Sequence, residues 1–266
     1  MPTSIPLKEQ KLFDITAKPV EEFEVRLVVW DTVDVVMADV EGTSDVYIRA
    51  FFDSKDDQET DTHFRCTDGK ASFNYRLKFK VNDKRKSGYT MSFQLYDKDF
   101  FSANEILGET TLNLDVAMED TLLTKRPVTL NKKYCQEAMK ESMKDISWKD
   151  DTSFWVDCYR TVKGEKELGG KVRLSIDILP MEKALMNEVG GARQEPNHSP
   201  FCPPPVGRIS FSLNPFKMFM QLVGPAVRRK IYCACFCLVC IALCVALAPI
   251  ILGNIFSTLI NKALGI

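Results

Sequence analysis

Apolar and polar residues alternate along several short segments of the chain. In Phe23–Trp30 every second residue is apolar, and the clearest alternation is in Lys171–Ile178. A period of two predicts half-buried β-strands. We expect further strands at 46–52, 63–66, 73–81, 89–96, 108–114 and 128–130. Short strands separated by turn residues favour an all-β, antiparallel sandwich, with the domain spanning residues 19–183.

Residues 131–146 interrupt this alternation. Apolar and small residues recur there at helical spacing: Cys135, Ala138, Met139, Ser142, Met143 and Ile146. This spacing predicts an amphipathic helix, within an insertion of about 131–160 that also holds an aromatic cluster. We interpret the helix as a packing decoration rather than a binding site.

A long apolar run follows near the C-terminal end. Ile231–Leu252 holds 22 consecutive residues without a charge. As a helix it reaches roughly 33 Å, enough to cross a bilayer core of about 30 Å. A buried core helix is the alternative, but such helices are usually shorter and amphipathic. The run therefore predicts a transmembrane helix.

The segments around this run have their own patterns. Arg228, Arg229 and Lys230 precede it, and basic flanks tend to stay cytoplasmic, so we expect a cytosolic domain and a luminal or extracellular tail at 253–266. Residues 184–215 are rich in proline and predict an extended, mobile linker. The apolar juxtamembrane segment, 216–230, either lies at the membrane interface or continues the linker. Residues 1–18 are expected to be a leader without signal-peptide features.

Composition excludes several classes of function. The net charge is −1, and no stripe of basic and aromatic residues suggests nucleic-acid binding. No cysteine and histidine set has zinc spacing, and no nucleophile elbow or phosphate-binding glycine loop suggests an enzyme. Five of the nine cysteines lie in the apolar run. Cys233 and Cys235, beside the basic boundary, are candidates for S-acylation; the alternative is packing of small apolar side chains in lipid.

Two loops between predicted strands concentrate oxygen-bearing side chains. The candidates are Asp39 and Asp45 in the first loop and Asp97, Asp99, Ser102 and Glu105 in the second. Close carboxylates repel one another, and calcium, which takes 6–8 oxygen ligands, relieves that repulsion. The spacing is not that of an EF-hand. The alternative is that these aspartates only stabilise turns.

The same loops carry large apolar residues at their tips. Val40 lies in the first loop, and Phe100 and Phe101 are adjacent in the second. Each phenylalanine that enters the acyl region of a bilayer contributes about 1.5–3 kcal/mol. The tips are therefore predicted to insert into anionic phospholipid once calcium removes the negative field. The alternative is that a phenylalanine folds back on the sandwich.

At these residues the chain resembles C2 domains, and more closely the last C2 domain and tail of the ferlin family. The general C2 features are Asp39…Ser44–Tyr47 and Tyr96–Asp99…Ser102…Glu105–Glu109. The ferlin-like features are Glu24–Trp30, Thr60–Arg65, Phe73–Arg76, Gly170–Leu179 and Asn214–Pro215. The order of domain, proline-rich segment, basic boundary and single span also matches.

The resemblance implies an eight-stranded C2 sandwich that binds phospholipid under calcium control, with a role in vesicle fusion, membrane trafficking or membrane repair. It places calcium on Asp39, Asp45, Asp97, Asp99 and Glu105. It also implies fusion proteins as partners, a vesicle or plasma membrane location and a longer parent with several C2 domains. Glu105 departs from the aspartate that C2 domains more often have. A calcium-independent, protein-binding C2 module on a tail anchor remains the alternative.

Overall fold

The structure is a computed structural model that describes residues 19–38, 42–85, 87–99, 103–144, 146–209, 211–222 and 225–264. The strands are β1 (Glu22–Val33), β2 (Ser44–Phe51), β3 (Gln58–Glu59), β4 (His63–Cys66), β5 (Ser72–Asn82), β6 (Thr90–Asp97), β7 (Glu105–Asn113), β8 (Val128–Thr129), β9 (Ser147–Trp148), β10 (Phe154–Val162) and β11 (Glu165–Pro180). The helices are α1 (Asp115–Thr124), α2 (Lys132–Ala138), α3 (Met181–Met186), α4 (Pro215–Leu222) and α5 (Pro225–Leu264).

Eight strands form one continuous antiparallel path in the order β3-β2-β6-β7-β10-β11-β1-β5. The short strands β4, β8 and β9 pair with β2, β11 and β10. The two halves of the path meet where β7 and β10 pair through Tyr159 and Glu109. The sheet therefore wraps into a sandwich that is nearly closed as a barrel, and the predicted all-β, eight-stranded fold is confirmed.

The core lies between the two halves of this path. Strand β1 pairs with β11 on one side and with β5 on the other, so it occupies a central position. All side chains from Phe23 to Val29 are buried. The outward-facing Arg26 is covered by α3, because its Nη2 donates to the carbonyl oxygens of Ala184 (3.2 Å) and Asn187 (2.8 Å).

The region between β7 and β11 differs from the prediction. The expected helix is present as α2, where the Asn131 side chain accepts from the Tyr134 amide at 2.9 Å, and the helix packs on the core through Cys135. However, β10 is a strand of the main path, so the predicted insertion of 131–160 is too long. Helix α1 lies outside every predicted element.

The proline-rich segment lies against the sheet over residues 189–209, which we call the strap. Val189 and Cys202 are each only 1% exposed, and Ala192 forms a β-bridge with Arg76 of β5. Close to its end, the Gly207 carbonyl accepts from the Phe64 amide of β4 at 2.8 Å. This docked segment differs from the free linker expected from its prolines.

Two helices follow the strap. Asn214 caps α4, since its Oδ1 accepts from the amides of Phe216 (3.0 Å) and Lys217 (3.3 Å). Helix α5 is long and apolar enough over Arg228–Leu264 to cross a membrane, and its apolar window is not buried against the protein. It extends beyond the predicted span of 231–252 and takes in most of the predicted tail.

Candidate functional site

The two acidic loops lie at the same end of the sandwich. Strand β2 follows the first loop and β6 precedes the second, and these strands are antiparallel neighbours in which Val46 opposes Asp97. The start of β2 therefore lies beside the end of β6. The predicted proximity of the two loops follows directly from this register.

Asp45 and Asp97 are held next to each other at this end. The Asp45 amide donates to Asp97 Oδ1 at 2.6 Å, and the Lys98 amide donates to the Asp45 carbonyl at 2.8 Å. The Asp45 carboxylate accepts from the Arg65 amide of β4 at 2.7 Å. Asp97 is only 3% exposed. Backbone hydrogen bonds thus fix both aspartates before any ligand arrives.

The second loop is closed by side-chain contacts. The Asp99 amide donates to Asn104 Oδ1 at 3.1 Å, and Asn104 Nδ2 donates to the Tyr47 hydroxyl at 2.9 Å. Tyr47 stacks on Tyr96 with ring centroids 5.1 Å apart. Sequence reasoning missed Asn104, although an asparagine in an acidic turn is a usual partner for backbone amides.

Glu105 and Asp99 occupy different positions around Asp97. Glu105 begins β7 directly opposite Asp97, and its side chain is exposed. Asp99 lies two residues beyond Asp97 in the loop. Asp39, Val40, Phe100, Phe101 and Ser102 fall outside the described residues, so their predicted roles remain predictions.

The chemistry of the loop end suits a hard cation. Asp45 and Asp97 offer carboxylate oxygens, the donors that calcium prefers. Among the described residues, which omit Asp39, no group of three histidine, cysteine, aspartate or glutamate side chains is close enough to hold a metal. The described part of the site is therefore two aspartates joined through the Asp45 amide, and calcium would need further oxygens to complete its coordination.

A third loop reaches the same end of the sheet. It connects β4 to β5, and Cys66 at its start opposes Ser44 of β2. The Asp68 carboxylate accepts from the Lys70 amide at 3.1 Å, which is a turn-stabilising role. The Gly69 carbonyl accepts from the Val35 amide at 3.2 Å, so this loop supports the segment after β1.

Comparison with known proteins identifies the fold. The family model described as C2 domain matches residues 23–134. The sandwich has the C2 fold, and residues 23–134 carry the similarity to the family. Among solved structures, the chain is similar to the first C2 domain of plant Extended Synaptotagmin 1, at 16% identity and a TM-score of 0.39, covering 59% of this chain and 94% of that one. A structure with two C2 domains of Extended Synaptotagmin 2 matches at 14% identity and a TM-score of 0.38, covering 70% of this chain and 54% of that one.

Curated relatives extend the likeness beyond the C2 domain. Myoferlin of Xenopus tropicalis is 24% identical over 220 residues, 73% of this chain. Myoferlin of Homo sapiens is 25% identical over 252 residues, 82% of this chain. The expected resemblance to ferlins is confirmed. The chain spans only 11% and 12% of the length of these two relatives.

The acylation candidates lie on α5. Cys233 and Cys235 lie near the basic start of this helix and are exposed. Cys237 and Cys244 lie further along the helix and are also exposed. The four cysteines of the C2 domain and strap (Cys66, Cys135, Cys158 and Cys202) are buried. Burial raises the pKa of Cys135 and of Cys158 to about 12, so these two thiols are not nucleophiles at neutral pH.

Proposed function

We propose that this chain is a membrane-anchored C2 protein that binds anionic phospholipid under calcium control and has no enzymatic activity. The observation that carries the proposal is the fixed pair of Asp45 and Asp97 at the end of the sandwich where two loops meet. The similarity to ferlins supports a role in vesicle fusion, membrane trafficking or membrane repair, with membrane-fusion proteins as partners.

In this proposal calcium supplies positive charge to the loop end. Asp45 and Asp97 would hold it, joined by Asp39, Asp99, Ser102 and Glu105 from the two loops. Asp99 and Glu105 would have to move toward the ion, because no three of the described carboxylates are grouped in the structure. The residues of the chain do the rest: Asp97 stays buried and in place because the Asp45 amide holds it. Neutralising the carboxylates removes their repulsion of anionic headgroups, and the loop tips at Val40, Phe100 and Phe101 can then enter the bilayer.

A sedimentation assay tests the proposal. The full chain is held in nanodiscs through α5, so that its anchor is already occupied, and is mixed with phosphatidylserine vesicles in calcium or in chelator. We expect calcium to increase pelleting of the nanodisc-held protein with the vesicles. Asp39→Asn with Asp97→Asn should abolish that increase, because asparagine keeps the Oδ1 that accepts from Asp45 but removes the charge.

The matched control is Asp56→Asn with Asp57→Asn, which removes two acidic charges from the turn after β2. The Asp56→Asn change keeps the Oδ1 acceptor for the amides of Phe52 and Asp53, and Asp57 forms an exposed ion pair with Arg49. The control should respond to calcium as the wild type does. Equal pelleting of the wild type with calcium and with chelator would refute the proposal and favour a protein-binding C2 module.

A further inference from the structure

The strap is attached to the C2 domain by three separate groups of contacts. The first centres on Arg76 of β5, which is only 1% exposed. Its guanidinium donates to three strap carbonyls: Gly190 at 3.0 Å, His198 at 2.9 Å, and Pro200. A buried guanidinium is costly unless its donors are satisfied, so the sheet needs the strap at this position.

The second group joins two strap arginines to one aspartate. Arg208 Nη2 donates to Asp61 Oδ1 at 2.6 Å, and Arg193 donates to Asp61 Oδ2. The same guanidinium groups lie over Phe73 and Tyr75 of β5, 5.7 and 5.2 Å from the ring centroids. Burial alone would raise the pKa of Asp61, but the hydrogen bonds from Arg208 and Arg193 lower it. The charged pairings thus hold both ends of the strap.

The third contact leaves no space between strap and sheet. Gly207 passes directly over the imidazole ring of His63, and a Cβ at this position would overlap the ring. Gly207 also has a φ of +76°, in the left-handed region that favours glycine. The strap can therefore dock only with glycine here.

The segment after the strap is apolar and exposed. Phe211 and Leu213 are 83% and 90% exposed, and Phe216 and Phe219 of α4 are 67% and 50% exposed. Large apolar side chains that stay exposed mark an interaction surface. Helix α4 ends at Leu222 and α5 begins at Pro225, so this surface adjoins the helix that can cross a membrane. The occupant that fits this position is the lipid surface of the bilayer that α5 enters.

The docked strap shortens the tether between domain and bilayer. Between Arg208 and α4 only residues 209–214 remain, which span at most roughly 20 Å when extended. A free strap would add up to about 70 Å. We infer that residues 211–219 lie in the interface of the bilayer that α5 spans and that the strap holds the C2 domain against that same bilayer. The domain is then kept close to the membrane of its own anchor.

Energy transfer from tryptophan to the membrane tests this inference. The three tryptophans of the chain, Trp30, Trp148 and Trp155, all lie in the C2 domain. The full chain is reconstituted into phosphatidylcholine vesicles that contain a dansyl-labelled lipid, with chelator present throughout. The chelator separates this test from the proposed calcium response. We expect efficient transfer in the wild type, because the donors stay close to the labelled surface.

Two glycine variants form a matched pair. Gly207→Ala pushes the strap off His63 and should reduce the transfer. Gly191→Ala has no atom within 4 Å of the added Cβ and should leave the transfer unchanged.

Arg193→Gln with Arg208→Gln alters only the strap and provides a second way to release it. An unchanged tryptophan emission spectrum in detergent shows that each variant has folded. Equal transfer in the wild type, both glycine variants and the arginine variant would overturn the inference.

The interfacial segment is tested in the same assay. Phe216→Ser with Phe219→Ser should also reduce the transfer, since α4 would no longer hold to the lipid surface. Leu185→Ser with Met186→Ser removes two side chains of similar exposure, 70% and 71%, from α3 and should not. Transfer that is the same in the α4 variant as in the wild type would overturn the assignment of this segment to the interface.

Discussion

At the scale of residues, two buried polar side chains connect the strap to the sheet. Arg76 and His63 lie on strands β5 and β4, where the alternation of the sequence would suggest partly solvated positions. Both are covered because strap atoms take the place of water: three carbonyls at Arg76, and Gly207 at His63. A basic residue in a strand is normally exposed, and no local feature of the sequence signals that a segment more than 110 residues later covers it.

His63 makes the stability of this docked state depend on pH. Its Nδ1 accepts from the Ser72 amide at 3.0 Å, so the docked state needs an unprotonated Nδ1. Burial and the Arg208 guanidinium lower the pKa of His63 below its ordinary 6.5, against the opposing charges of Asp68 and Asp61. A lowered folded-state pKa means that the unfolded chain takes up the proton first. Stability is therefore full above pH 6.5 and falls as the pH drops toward the folded pKa.

We expect the urea midpoint of the chain in detergent, followed by tryptophan emission, to decrease below pH 6.5. One group changes the free energy of unfolding by at most about 1.4 kcal/mol per pH unit. His63→Gln should remove this dependence. His198→Gln alters the other histidine of the chain, which lies in the strap. This variant should retain the pH dependence of the urea midpoint. A His63→Gln variant with the pH profile of the wild type would contradict the assignment.

At the scale of elements, the apolar tip of the second acidic loop is predicted to strengthen vesicle binding. If Phe100 and Phe101 insert into lipid, changing both to serine should weaken calcium-dependent vesicle binding about tenfold or more for each residue lost from the bilayer. Leu123→Ser is the control, because Leu123 is 73% exposed and its helix α1 follows the end of β7 that is opposite the second loop. Titration with phosphatidylserine vesicles measures the change. Equal affinities would mean that the two phenylalanines do not insert.

The sequence predicts elements well where burial alternates. Strands β2 and β6 alternate along much of their length between buried and partly exposed residues, and the pattern predicts both. It does not predict helix α1, whose apolar residues show no one-sided arrangement; this helix buries Ala117, Met118 and Thr121. Strand β10 does alternate, with Phe154, Val156 and Cys158 buried, but its aromatic residues also fit a cluster at the edge of the sheet.

The candidate site was predictable to a similar degree. Asp45 and Asp97 are adjacent because β2 and β6 pair, and alternation plus loop position was enough to suggest that the two loops share one end. The contact that closes the second loop joins Asn104 to Tyr47, 57 residues earlier, and alternation along single strands does not reveal which loop residue lies beside which strand residue. The docked strap depends on contacts over long sequence separations, which composition cannot reveal.

At the scale of the whole molecule, the charges beside the apolar helix predict the orientation of the chain in the membrane. The basic residues before the apolar window, Arg228 to Lys230, favour a cytosolic C2 domain and a luminal or extracellular end for α5. A glycosylation acceptor sequence attached after Ile266 should therefore be modified in cells. The same sequence attached before Met1 should remain unmodified. Modification of the reporter before Met1 alone would mean that the orientation is reversed.

The strap also affects when the C2 domain can finish folding during synthesis. Arg76 binds the carbonyl of Gly190, 114 residues later, and Asp61 binds Arg208, 147 residues later. Contacts of such long sequence separation form late in folding, because the loop between the partners must first close. During synthesis these partners meet only after residue 208 has emerged, with α5 still to follow. The C2 domain is thus finished immediately before its membrane helix becomes available, so a slowly folding domain would reach the bilayer incomplete.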